Sequence, residues 1–79
     1  MKLQEAVVKK LKQEIYKCGK SIYKLALDSG IPQSTIRGIL KRDNYSMKLS
    51  TLYSICEGLG ISIKEFFDSP LFDMENIYE

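Results

Sequence analysis

Histidine is absent from this 79-residue chain, and with it go the commonest general base and the commonest metal ligand. Cysteine occurs twice, at Cys18 and Cys56, far apart and with no C-x-x-C pattern. In a reducing compartment these two read as small buried hydrophobes, not as a disulfide or half of a metal site. No apolar run approaches the roughly 18 residues that a membrane span needs. The opening Met1-Lys2-Leu3-Gln4-Glu5 has no apolar stretch of the kind found in a secretory leader, so a cytoplasmic protein without membrane contact is expected. Alternating strand patterns, internal repeats and low-complexity segments are missing too. With no histidine, no phosphate loop and no metal-ligand spacing, a serine or cysteine nucleophile lacks a base to activate it. The chain is therefore expected to be neither an enzyme nor a cofactor carrier.

What is present suits one small helical domain. The length allows a single core, marginal unless helices pack well or a partner adds surface. Hydrophobic residues make up 44% and charged residues 28%, an ordinary soluble balance. The net charge of +2 hides a strong asymmetry: residues 1–48 hold eleven of the twelve basic side chains against four acids, and residues 49–79 hold one against six. A basic portion of this kind suits a polyanion, and a solvated lysine-rich helix is an equal alternative on charge alone. Lys9, Lys10, Lys12 and Lys17 read as such a solvated face.

Apolar spacing predicts five helices. Leu3, Val7, Val8, Leu11 and Ile15 recur along the first, which Gly19 closes in the left-handed region. Ser21 is the N-cap of a second, from Ile22 to Ser29, burying Leu25 and Ala26 and ending at Gly30. Pro32 keeps Ile31 out of a helix, so the third starts at Gln33 and buries Ile36, Ile39 and Leu40. A basic loop follows, Lys41 to Lys48, with Asp43-Asn44 as turn formers. The fourth helix runs to Leu59 with Leu49, Leu52, Ile55, Cys56 and Leu59 on one face, and Gly58 and Gly60 punctuate its end. Ser62-Ile63-Lys64-Glu65 is a capping box opening a fifth helix through Phe67. The expected fold is all-α, a five-helix bundle over residues 1–68 followed by an acidic, apolar tail over residues 69–79.

Helices two and three, joined by a short turn containing glycine, have the spacing of a helix-turn-helix. Ala26 is small where the two helices approach, and Ile31 plugs the space under the turn. On a helical wheel, Ser34, Gly38 and Lys41 point away from the buried centre, Arg37 flanks them, and Gln33 stands at the N-terminal tip. Such a helix meets base edges in the major groove. Glutamine matches adenine N6 and N7, and arginine forks onto guanine O6 and N7. A glycine inside a helix costs roughly 1 kcal/mol against alanine. For Gly38 two readings stay open: close approach to DNA, or simple tolerance.

From about Val8 to Phe67 the sequence resembles the Cro and lambda-repressor-like (XRE-type) helix-turn-helix proteins of bacteria and their phages. The resemblance rests on Leu25-Ala26, Ser29-Gly30-Ile31, Gln33-Ser34-Thr35-Ile36, Leu49-Ser50-Thr51-Leu52 and the run from Gly58 to Phe66. It implies a compact five-helix lambda-repressor-like bundle, binding of double-stranded DNA through helix three, homodimers on near-palindromic operators, and transcriptional control, most simply repression. By position it makes Gln33, Ser34, Arg37 and Gly38 the base-reading set. Ser21, Thr35, Lys41, Arg42 and Lys48 become the phosphate-binding set. Three departures stand out. Ile22 occupies a place where the family often has a bracing glutamine, Pro32 stands where a hydroxyl cap is common, and Leu40-Lys41-Arg42 makes the following loop more basic than usual.

Tyr45 has two readings, a phosphate hydrogen bond or cover for the core edge. Tyr16 and Tyr53 are expected in the core or at its rim, with Phe66, Phe67, Leu71 and Phe72 completing the core from the C-terminal side. A module this small buries limited DNA surface, so a twofold partner is expected, with residues 61–79 supplying much of the contact. The alternative function is an antitoxin-like protein-interaction module on the same fold, its protein partner held by the tail.

Overall fold

Helix α1 spans Leu3–Cys18, α2 Ile22–Ser29, α3 Gln33–Lys41, α4 Leu49–Leu59 and α5 Ile63–Phe67 in the computed structural model, which describes residues 1–43 and 45–79. Two 3-10 turns follow, Pro70–Phe72 and Met74–Asn76, and no strand occurs among the described residues. The expected all-α, five-helix fold is the one observed. Of the turn formers Asp43-Asn44, Asn44 lies outside the described residues.

Local chemistry sets each helix end. Ser21 Oγ accepts the Lys24 N–H at 3.0 Å, and Ser62 and Glu65 exchange capping-box bonds at 3.0 and 3.1 Å. Helices α2 and α4 finish in the same way. Gly30 and Gly60 turn into the left-handed region at φ 68° and 80°, a conformation any other side chain would resist. The next residues, Ile31 and Ile61, donate their N–H to Ala26 and Cys56 at 3.2 and 3.1 Å, and both isoleucines fold back onto the core.

That core has two parts. Val8, Leu11, Ile39, Leu52, Ile55, Cys56 and Phe66 form the larger, and Leu25, Ala26 and Ile36 the smaller; Ile31 and Leu59 pack against both. Helix α3 therefore contributes one isoleucine to each part. Phe66 is fully buried, with Phe67 edge-on at 5.1 Å and Phe72 tilted at 5.9 Å between ring centroids. The C-terminal segment lies against α1: the Tyr78 N–H donates to the Met1 carbonyl at 3.0 Å, and Glu79 Oε2 accepts the Leu3 N–H at 2.9 Å.

Several expectations need correction. Tyr16 and Tyr53 are 89% and 51% exposed. Each follows a core-facing residue, Ile15 or Leu52, and one step turns a side chain by about 100° out of the buried stripe. Leu3 and Leu49, the first residues of their helices, are 45% and 70% exposed because the core begins one turn later. Gly58 does not punctuate α4 but lies buried inside it. A Cβ there would overlap Ser29 Oγ and come within 3.0 Å of Ser29 Cβ and 3.1 Å of its backbone nitrogen. Gly58 on α4 thus packs directly against Ser29 on α2.

Lys20 clamps the same crossing, its Nζ donating to the Gly58 carbonyl at 2.6 Å and to Asp28 at 2.7 Å. Ser29 Oγ is buried there without a hydrogen-bond partner among the described residues. Urea unfolding should therefore show Gly58→Ala less stable by about 1–3 kcal/mol, although alanine is the better helix former by about 1 kcal/mol. Ser29→Ala should unfold at the wild-type midpoint or gain up to about 1 kcal/mol, since it removes a buried hydroxyl that lacks a partner.

Candidate nucleic-acid interface

The outer face of α3 follows from its inner one. Ile36 and Ile39 are fully buried, which turns Ser34, Arg37 and Lys41 to solvent, where all three are exposed. Gln33 and Thr35, near the start of the helix, are partly buried. No side chain caps α3 at Pro32, whose carbonyl accepts the N–H groups of Thr35 and Ile36 at 3.0 and 3.3 Å. Ser21 is exposed at the start of α2; its oxygen is engaged by Lys24, and its hydroxyl proton remains available to an outside acceptor. Lys48 is exposed at the start of α4.

Gly38 stands differently from its expected place in an open face. A Cβ at this position would lie 3.3 Å from Cε2 of Tyr45, tighter than ordinary van der Waals contact. The bare backbone of Gly38 is covered by a tyrosine ring from the loop, and neither expected reading of this glycine described that. Tyr45 also packs on the larger core cluster, so of its two readings the core-edge cover is observed. Its ring carries the Arg42 guanidinium, 5.5 Å from the ring centroid. The structure thus joins Gly38, Arg42 and Tyr45. The signal in the sequence was the cost of a glycine inside a helix; the partner seven residues on was not marked.

The basic residues differ in how they are compensated. Lys10, Lys12, Lys17, Lys20 and Lys24 are each paired with a carboxylate at 2.7 to 3.3 Å. Arg37, Lys41, Arg42 and Lys48 enter no ion pair among the described residues. All four are exposed, and all lie on α3, the loop after it or the start of α4. Lys2, Lys9 and Lys64 are likewise exposed and unpaired among the described residues, so four of the seven uncompensated basic side chains stand on or beside α3. The buried Cys56 thiol offers no competing chemistry. Burial, aided by the nearby Glu14 charge, pushes the Cys56 thiol up to about 11, which keeps it protonated and unreactive.

A family profile described as the Cro/C1-type HTH DNA-binding domain matches residues 10–70. This chain belongs to that family. Comparisons with curated proteins and with solved structures find no match. As a Cro/C1-type domain the chain is a DNA-binding protein, and α2, the Gly30 turn and α3 are its helix-turn-helix. Among the described residues, no helix is long and apolar enough to cross a membrane.

Two carboxylates hold four of the five paired lysines of this Cro/C1-type domain. Burial raises Glu14, but hydrogen bonds and charge from Lys17 and Lys10 outweigh it, leaving its carboxyl below the usual range. Hydrogen bonds from Lys20 and Lys24 hold Asp28 low as well. Each is a stronger acid folded than unfolded, so its contribution is complete above the unfolded value of about 4. That contribution drains away as pH falls through the lower folded value. Urea midpoints measured from neutral to acid pH should fall for the wild type, and Glu14→Gln should fall less steeply from a lower starting value.

Proposed function

We propose that this domain is a sequence-specific transcriptional regulator, a repressor, that sets α3 into the DNA major groove as a homodimer on a near-palindromic operator. The observation that carries the reading is the outer face of α3: uncharged hydrogen-bonders and one arginine over a fully buried isoleucine pair, beside Lys41, Arg42 and Lys48, which pair with no carboxylate among the described residues. Gln33, Ser34 and Arg37 are the base-reading residues of this proposal. Ser21, Thr35, Lys41, Arg42 and Lys48 hold phosphates. Gly38, by position part of the base-reading set, lies beneath the Tyr45 ring and serves this surface by leaving room for that ring.

Dimerisation rests on size, since one such module covers too little of a site for tight specific binding. The C-terminal segment 61–79, which exposes Met74 and Tyr78, supplies part of that contact. Its docking on the N-terminus of its own chain favours a structural role over that of a free tail awaiting a protein partner. Sedimentation at micromolar concentration should give a dimer, and a monomer would remove this element of the proposal.

Selection of bound duplexes from a random pool should return a two-fold symmetric site. On that site, Gln33→Ala and Arg37→Ala should each lose about 1–3 kcal/mol of discrimination at one base position per half-site. Lys41→Ala should weaken all sequences alike and reduce the salt slope by about one. Lys24→Ala, whose charge is already held by Asp28, should leave that slope unchanged. Equal behaviour of the Lys41 and Lys24 variants would refute the division of cations.

A further inference from the structure

The loop after α3 holds an arrangement that the DNA-binding reading does not itself require. We infer that Tyr45 is a positioning residue for DNA contact, holding Arg42 at the C-terminal end of the recognition helix through a socket that Gly38 leaves open. The inference rests on the proposed role of α3 and names the device that orients one of its cations.

Three observations carry it. The Tyr45 ring fills the space where a side chain at Gly38 would begin, with Cε2 3.3 Å from that position. The ring also packs on the larger core cluster, so it is fixed from below and from the side. Above it lies the Arg42 guanidinium, 5.5 Å from the centroid, within the range of attraction between a cation and an aromatic face. Arg42 itself follows the last residue of α3, has extended backbone and is exposed. Left alone, a long side chain there would sample many rotamers and lose that freedom on binding. Seated on a ring that the core holds still, it meets a phosphate with less ordering left to do. No carboxylate competes for it among the described residues. The glycine fits the same arrangement: a Cβ at 38 would make the ring give by a few tenths of an ångström, and a longer side chain would compete for its seat.

The test is a double-mutant cycle on duplex binding by the full chain, using the sequence returned from the random pool. Tyr45→Ala should weaken binding by about two- to fivefold in the wild-type background, and have no effect in the Arg42→Ala background. Tyr45→Phe keeps the ring and should bind as the wild type does. Gly38→Leu introduces a good helix former and takes the ring's seat, so it should match Tyr45→Ala, which guards against a Tyr45 variant that folds poorly. A ring-current shift of the Gly38 Hα protons, present in the wild type and Tyr45→Phe and lost in Tyr45→Ala, reads the socket without DNA.

Equal losses from Tyr45→Ala with and without Arg42 would overturn the inference, as would no loss at all. A loss in Tyr45→Phe equal to that in Tyr45→Ala would also overturn it, by making the hydroxyl the contact. Failure of the wild type to bind any duplex would overturn the DNA-binding proposal and this inference with it. Wild-type binding with an indifferent Tyr45→Ala would overturn this inference alone.

Discussion

Where α2 meets α4 there is space for backbone and one small side chain. Ser29 sits against Gly58 so closely that a single added carbon on α4 would strike both its side chain and its backbone nitrogen. Lys20 then fastens the crossing from outside, joining the end of α4 at the Gly58 carbonyl to Asp28 on α2. This contact fixes the depth and angle of α2, and through the Gly30 turn those of α3. The presented face of α3 is thus a consequence of a contact that it does not itself make. A lysine aimed at the carbonyl end of a helix is favourably placed for the helix dipole, which strengthens the clamp beyond its ion pair.

Charge follows the same logic. The sequence is basic over its first two-thirds, yet in the folded chain most of the α1 and α2 lysines are matched by Glu14, Asp28 or Asp43. Among the described residues, the unmatched set comprises Arg37, Lys41, Arg42 and Lys48 on α3, its loop and the start of α4, with Lys2, Lys9 and Lys64 elsewhere. Exposed ion pairs add little to stability. Their larger effect here is on the field, because they neutralise lysines that would otherwise draw a polyanion to the wrong side of the domain. The acidic C-terminal segment continues that division: Glu79 binds the first turn of α1, where a carboxylate also complements the helix N-terminus.

Helix ends and order were legible because they depend on residues close in sequence. Gly19, Gly30 and Gly60 stop helices by conformation, Ser21 and Ser62 start them by hydrogen bonding, and Pro32 separates α2 from α3 by sterics. The outward face of α3 was legible too, since periodicity alone tells which residues turn away from Ile36 and Ile39. The misread residues depend on tertiary contact. Gly58 looks like a helix stop until Ser29 is placed against it. Tyr16 and Tyr53 look like core until the width of the buried stripe is known. Gly38 carries its cost in the sequence, but the ring that explains it arrives from a loop whose path no local pattern dictates.

The departures from the family pattern acquire a common physical sense from this arrangement. Ile22 stands where a glutamine often braces the start of the recognition helix, and it is partly buried against the Leu25, Ala26 and Ile36 cluster. It therefore anchors α2 by burial and offers no hydrogen bond to Gln33. Pro32 sets the chain direction into α3 through its ring and, unlike a hydroxyl, adds no cap bond. Both changes leave the N-terminal end of α3 held by packing and by the backbone bonds to the Pro32 carbonyl, with no side-chain cap. At the opposite end, Gly38, Tyr45 and Arg42 supply an ordered polar contact. A recognition helix needs its side chains held at more than one point to read a groove, because each rotamer left free is entropy lost on binding. Under the proposed role of α3, the orienting contact lies after the helix instead of before it, with the basic Lys41-Arg42 pair beside it.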